Sequence, residues 1–432
     1  MNRLIDRLGK AAAKVTKLTT ANAKAKANLA LALALNLALA FSTVSVAQDR
    51  IEIDGYVKLL GTVTDITRTV PEGLLDFSNL QYTYFDYQVH NRFNIDYHIS
   101  DQWRVQVGMR NRLFWGYQTS NLPSFKESIA ADPGVVDMSF ILVDGDDVFL
   151  HTLLDRAYVE YRSGDWEFVA GRQRINWGVN TVWNPNDLFN QYNYFDFDYE
   201  ERPGADAVRT TRYLGYNSKI EVAAALDSAN QVTAAGLYQF GKGSYDLQVL
   251  GGWFKNDLAL GAGWAGNLGN AGFKGEATYF HGLQNESPNA FLASATVDYA
   301  FANSLYIAGS YLYNSGGSNQ SNFLDFGGIS NPANTLSAKN PFPFESTFFI
   351  ASSYQITPLF RIDISQMFTT AFDTYILIPS FTYSITQDLD ALILGQIFFG
   401  NRIFPLPAPL PTIDEGFGYV SGLGFARLKY SF

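Results

Sequence analysis

From residue 51 to the end of the chain, apolar and polar side chains alternate one by one, in blocks of about 9–16 residues set apart by turn-forming residues. In 102–116, Trp103, Val105, Val107, Met109, Leu113 and Trp115 share one parity, and Arg104, Gln106, Arg110 and Arg112 share the other. In 89–99, Val89, Phe93, Ile95, Tyr97 and Ile99 alternate with His90, Arg92, Asn94, Asp96 and His98. A period of two sends successive side chains to opposite faces of a strand, here one apolar face and one ionic face. The pattern predicts eighteen strands, with sixteen as the alternative count: 51–65, 84–99, 102–116, 151–163, 165–176, 205–215, 217–226, 231–241, 244–255, 257–267, 271–281, 291–302, 303–314, 345–356, 358–371, 373–385, 388–400 and 417–432.

The connections sort by length. Ser100-Asp101, Ser163-Gly164-Asp165, Tyr216-Asn217, Gly241-Lys242-Gly243, Ala302-Asn303, Thr357-Pro358 and Thr386-Gln387 are brief and fall at one end of the strands, as does the turn at 267–270. The long connections, 66–83, 117–150, 177–204, 315–344 and 401–416, fall at the other. This asymmetry, with an even strand number, predicts an all-β fold: a transmembrane, antiparallel, up-and-down β-barrel of the cell outer membrane. No run of 18 or more apolar residues follows residue 47, which excludes helical spans. Trp103 and Trp115, twelve residues apart on the apolar face, would lie roughly 28–30 Å apart along the membrane normal on a tilted strand, the height of a lipid-facing band with an aromatic girdle at each edge. Two core tryptophans are the plainer alternative.

Composition agrees once the alternation is known. Mean hydropathy is near zero, as it must be when a wall alternates lipid-facing and water-facing residues. The 34 Phe and 25 Tyr are many for a soluble enzyme of this length. With no Cys, there is no disulfide, thiolate metal site or Cys nucleophile. Residues 1–47 read as a cleaved signal peptide. Arg3, Arg7, Lys10, Lys14, Lys17, Lys24 and Lys26 precede an apolar run from Ala27 to Phe41, and Ser45-Val46-Ala47 fits a small-x-small cleavage site. The expected domains are therefore the signal peptide 1–47 and the barrel 48–432, with no plug domain before the first strand. Seven of 31 Lys+Arg and one of 41 Asp+Glu leave with the peptide, so the mature chain carries 24 against 40, a balance of −16. Nothing in that balance suits nucleic acid.

A barrel of this size encloses a lumen, so candidate function lies on the inner face. Ten of the sixteen Arg after residue 47 fall on the predicted strands between 92 and 212. Parity allows Arg92, Arg104, Arg110, Arg112, Arg156, Arg162, Arg172 and Arg174 to point inward as a basic ladder; Arg209 and Arg212 differ in parity. Arg forks bond carboxylate and phosphate bidentately, and Arg lining a pore favours anions. The alternative is charge balance against Asp96, Asp155, Glu160 and Glu167. The connection 177–204 is too aromatic for an open external loop. It is expected to fold inward as a constriction carrying Trp177, Trp183, Asp187, Asp196, Asp198, Glu200 and Glu201, its acids opposed to the Arg wall; an ordered external cap is the other reading.

At this segment the chain resembles a family. Gly171-Arg172-Gln173-Arg174-Ile175-Asn176-Trp177-Gly178, then Asn184-Pro185-Asn186-Asp187, is similar to the G-R-Q-x-x-N-W-G stretch of outer-membrane porin-like barrels, and more distantly to alginate-export porins. The resemblance covers about 20 residues. It implies an Arg-lined lumen passing an acidic polysaccharide, although Trp177 stands where the alginate group has Tyr. The final strand, with Leu428, Tyr430 and Phe432 on one face, resembles the signal read by barrel-assembly machinery.

The reading is thus a passive channel for small hydrophilic, anionic solutes or an acidic glycan. Its expected partners are outer-membrane lipid and the assembly machinery; no cofactor or metal is implied. A structural or adhesive plugged barrel is the alternative. A barrel enzyme is a weaker one: it would need a His base beside Ser or Asp, and Asp96 with His98 is the nearest pair. Asp144-Gly145-Asp146-Asp147 lacks the pattern of a Ca²⁺ loop, 404–411 should be stiff and extended, and 315–330 is rich in Gly, Ser and Asn.

Overall fold

The computed structural model describes residues 50–68, 80–190, 201, 203–283, 287–317, 336–369, 374–404 and 413–432. Residues 1–47, expected to be a signal peptide, and residues 405–412 lie outside them. Nineteen strands are present among the described residues. The first group is β1 (Ile51–Arg68), β2 (Leu80–His98), β3 (Trp103–Gly116), β4 (Ser139–Asp144), β5 (Val148–Ser163), β6 (Trp166–Gln173) and β7 (Ala205–Gly215). The second is β8 (Ser218–Leu226), β9 (Val232–Lys242), β10 (Tyr245–Phe254), β11 (Asp257–Leu268), β12 (Ala271–Gly282) and β13 (Ala290–Ala300). The third is β14 (Leu305–Asn314), β15 (Ser346–Thr357), β16 (Phe360–Thr369), β17 (Thr374–Ser384), β18 (Leu389–Phe404) and β19 (Ile413–Ser431). Two short helices, α1 (Tyr117–Asn121) and α2 (Pro123–Ala130), precede β4.

Eighteen of the strands form a closed antiparallel wall; β4 is the supernumerary one. Each wall strand pairs with its chain neighbour, β3 pairing directly with β5, and β1 closes the ring against β19 from Tyr56↔Ser431 to Ile66↔Ser421. Closure leaves no edge, which is what a strand bundle in hydrocarbon requires. Phe432 seals the seam: its N–H donates to Gly55 O at 3.0 Å and its ring lies 5.8 Å from that of Phe93. Leu428 and Tyr430 face outward on the same strand.

The eighteen predicted strands are all found. The short turns sit at one end, several with a left-handed residue, Gly164, Gly243, Gly269 and Ser304 having φ of 55–67°. At that end an outer aromatic row crosses three strands: Trp103 lies 4.6 Å from Tyr161, which lies 6.3 Å from Phe168. Trp103 is 44% exposed on the outer face, as the girdle reading expects. Trp115 differs: it is 5% exposed and stacked on Tyr87.

Two expectations need correction. The strand expected over 165–176 ends at Gln173, and 117–150 is not an open loop. Beyond residue 173 the chain leaves the wall, and 131–144 fills the resulting gap. β4 pairs with Leu150–Leu153 and Phe149 of β5, at the level β6 does not reach. The stretch before it ties to the far side of the gap, through Val136 N to Asp206 Oδ2 at 3.0 Å, Ser228 N to Pro133 O at 2.9 Å and a bridge between Gly134 and Asp227. Outward-facing Val135, Val136, Phe140 and Leu142 continue the apolar surface across this patch.

Candidate functional site

The departure from the wall explains the motif residue by residue. Gly171 has φ of 118°, and a Cβ there would meet Ala157 O at 2.3 Å, so only Gly makes this bend. Gln173 donates from Nε2 to Val169 O and Ala207 O, closing carbonyls beside the exit. Gly178 leaves room for Asn184, whose Oδ1 would lie 2.3 Å from a Cβ.

Arg172 belongs to the patch. Its five N–H donors are all used: on Asp206 at 2.7 and 3.0 Å, Asp132 at 2.7 Å, Leu154 O at 3.2 Å and Val136 O at 2.6 Å. Asp206 shares a face with exposed Val208 two residues on, so this cluster is on the outer side of the wall beneath 131–138. The expectation that Arg172 lines the lumen is therefore wrong. Counting from Trp166 and Phe168 would have put it on their face. Arg174 lies past the end of β6 and is exposed, so it is not a wall residue either.

Residues 177–190 run along the inner wall. Trp177 donates from Nε1 to Glu221 Oε1 on β8 at 2.7 Å, and its carbonyl accepts from Gln248 on β10. The fully buried Glu276 carboxylate on β12 accepts the backbone N–H groups of Val179, Asn180 and Asn186 at 2.5, 2.7 and 3.0 Å. Asn186 sits over Gly261 and Gly263 of β11, where side chains would collide with it, and bonds Ala262 O and Thr278 Oγ1. Asn180 meets Ser294 on β13, and Trp183 packs on Phe342 and on Phe349 of β15. Trp177 and Trp183 are both buried in this packing against the inner wall.

Two of its acids, Asp187 and Glu201, are among the described residues. Asp187 is buried within the segment, accepting Trp177 N at 3.4 Å. Glu201 pairs directly with Arg92 at 2.6 Å. Asp196, Asp198 and Glu200 lie outside the described residues.

The remaining ladder residues divide in two. At the short-turn end, Arg104 pairs with Asp96 and Glu160 at 3.3 and 2.6 Å, Arg162 with Glu160 and Glu167 at 2.6 and 2.9 Å, and Arg209 with Glu167 at 2.7 Å. This is the charge-balance reading realised. Arg212 stacks on Trp166 instead, 5.2 Å from its ring. Further in, Arg92 bonds Asp155 at 2.6 Å, and Arg156 bonds Asp155 O at 2.7 Å beside it.

Above that network the cross-strand registers assemble a row that crosses the barrel seam: Lys429, Lys58, His90, Arg112 and His151, on β19, β1, β2, β3 and β5. The adjacent row is Tyr56, Arg92 and Arg110. The Lys58 and Lys429 ammonium groups lie 4.4 and 4.8 Å from the centroid of the Tyr56 ring. Lys58, Lys429 and Arg427 escape a search for Arg on consecutive strands, because β1 and β19 are neighbours only through closure.

His151 also bears on the enzyme alternative, since Ser139 Oγ lies 2.9 Å from its Nε2. Arg112, which can only donate, is 3.1 Å from Nδ1. Nε2 therefore carries the proton and donates to Ser139, whose hydroxyl donates to Ala130 O at 2.7 Å. The polarity is opposite to that of a Ser nucleophile with a His base. Asp96 is engaged by Arg104 and Gln106. Among the described residues no cluster suited to a metal ion occurs, and Asp144 and Asp147 contact Lys126 and Ser120.

No family model matches the chain, and no curated protein matches it. Solved structures do. OccAB4 of Acinetobacter baumannii is 8% identical with a TM-score of 0.52, over 89% of this chain and 99% of that one. OccK7 (OpdD) and OccK8 (OprE) of Pseudomonas aeruginosa are 8% and 10% identical, each with a TM-score of 0.51, over 88% of this chain and 99% and 98% of theirs. The chain has the porin fold. At these identities the likeness extends to architecture, an 18-strand outer-membrane barrel. Within the porin fold, the docked inner segment, the wall patch and the basic rows rest on this chain's own residues.

Proposed function

We propose that the protein is an outer-membrane channel that passes small hydrophilic anions passively, fragments of an acidic glycan among them. The observation that carries this reading is the row Lys429–Lys58–His90–Arg112–His151 with Arg92 and Arg110 beside it, on the inner face. Like charges set directly across strands destabilise a sheet. A barrel that gathers basic side chains on one inner wall favours anions along that wall. Segment 177–190 lines the inner faces of β8 to β15, narrowing the lumen from the other side. In this reading the barrel sits in outer-membrane lipid, delivered there by the assembly machinery.

A plugged barrel is the second reading. It is favoured by the near-zero exposure of Lys58, His90 and Arg92, which are covered within the lumen. Planar-bilayer recording in a salt gradient separates the two. The channel reading expects stable conductance with a reversal potential on the anion side, moving toward zero in Arg110→Ala/Arg112→Ala. A protein that inserts and conducts nothing would be a plugged barrel; cation preference would remove the anion assignment.

A further inference from the structure

The outer aromatic row at the short-turn end runs one ring beyond Phe168 and stops on a cation. Trp166 stacks on Phe168 with ring centroids 5.9 Å apart, and the Arg212 guanidinium lies 5.2 Å from the centroid of the Trp166 ring. Trp166 of β6, Arg212 of β7 and Ile220 of β8 are register partners, so all three share a face. Trp166, Phe168, Ile220 and Val222 are exposed on the outer wall, and Arg212 is exposed with them. Arg212 therefore faces the membrane, whereas Arg209, three residues before it, pairs with Glu167 on the inner face.

Its height is that of lipid headgroups. Arg212 precedes the end of β7 at Gly215 by three residues, about 7 Å along the membrane normal on a tilted strand. Tyr216, in the turn below it, is fully exposed. A charge on the lipid face costs most at the midplane and little at this level. Among the described residues no carboxylate pairs with Arg212; its partner is the Trp166 ring. A ring engages a guanidinium from one side and leaves the N–H fork to bond an anion. The anion that the headgroup layer presents to an outward side chain is phosphate, which the fork bonds bidentately.

We propose that Arg212 and Trp166 bind the phosphodiester of a phospholipid in the periplasmic leaflet, with an acyl chain laid over Phe168, Ile220 and Val222. The apolar surface by itself holds any acyl chain; the cation at its lower edge makes the site read a headgroup. The inference needs the barrel to sit in the outer membrane and is independent of whether the barrel conducts.

The test is native mass spectrometry of the full protein released from detergent, with dioleoylphosphatidylglycerol or dioleoylglycerol added in rising amounts. The unchanged protein is expected to retain phosphatidylglycerol at a concentration about fivefold lower than Arg212→Gln does, the effect of one cation at a membrane surface. Dioleoylglycerol, with the same chains and no phosphate, should bind both proteins alike and more weakly. Lys242→Gln removes an exposed charge from the same end of the barrel, at the end of β9, and should retain phosphatidylglycerol as the unchanged protein does. Equal retention by the unchanged protein and Arg212→Gln overturns the inference. So does an equal loss in Lys242→Gln, which would mean charge at this end and no site. Displacement of the lipid by an equal concentration of inorganic phosphate also overturns it, because the guanidinium would then hold an anion without the lipid.

Discussion

The backbone N–H of Asn186 donates to Glu276 Oε2 at 3.0 Å, joining the turn of the inner segment to β12 across 90 residues of chain. The other oxygen of the carboxylate takes Val179 and Asn180. Hydrogen bonds to a charged, buried acceptor contribute about 1.5–3 kcal/mol each. In Glu276→Gln one oxygen becomes an amide N–H₂ facing backbone N–H groups. Hydrogen exchange in 177–190 should accelerate by about 100-fold or more, while the wall strands keep their protection. Unchanged exchange in that segment would mean the carboxylate is not its anchor.

Arg172 neutralises Asp132 and Asp206 beneath the wall patch. Arg172→Met leaves two buried carboxylates without their cation, and breaking a buried pair in this way costs about 3–5 kcal/mol. The loss should appear as a lower unfolding midpoint in urea and as new protease cleavage within 131–138. The triple variant Asp132→Asn/Arg172→Met/Asp206→Asn should recover most of the stability. If the single and triple variants behave alike, charge is not what holds the patch.

Gly171→Ala places a methyl 2.3 Å from Ala157 O at a φ of 118°. Strain of this kind costs of order 1–3 kcal/mol, with the steric clash in addition. The heat-modified gel shift of the barrel should move to lower temperature. Gly164→Ala, at a turn with open space around the Cβ, should shift it less.

Lys58 and Lys429 share the Tyr56 ring. Lys58→Met/Lys429→Met removes two charges from the row, so the reversal potential in a salt gradient should move toward the cation side. The shift should shrink as salt rises, because screening shortens the reach of the remaining charges to about 3 Å at 1 M. A salt-independent shift would point to altered pore shape instead.

The wall was legible in the sequence because each strand states its own faces and each turn its own length. Ala302-Asn303 marks a turn, and Leu305–Asn314 alternates without reference to any other part of the chain. What was not legible depends on partners distant in sequence. Phe140-Ile141-Leu142-Val143 is a run of strand formers, but only the early end of β6 gives it a place to pair. Asp187 reads as an acid available to a pore, yet its neighbours bury it. Lys58 and Lys429 are single cations on the first and last strands, and only closure sets them side by side. The sequence suggests that Arg172 is a lumen residue because it is charged; its carboxylate partners 40 and 34 residues away show what it does.

The repair of the wall by 131–144 also orders events in time. Hairpins such as β9–β10 can form from adjacent chain, but the seat of the patch is shared by β5, β7 and the residues after β8. It does not exist until Asp227 is in place, about eighty residues after the patch itself emerges. β4 can pair with the adjacent β5, but residues 133–136 meet their far partners only once four further strands, β5 to β8, have formed. Protease accessibility of 131–138 is therefore expected to persist until β5 to β8 have formed and Asp132 and Asp206 have met Arg172.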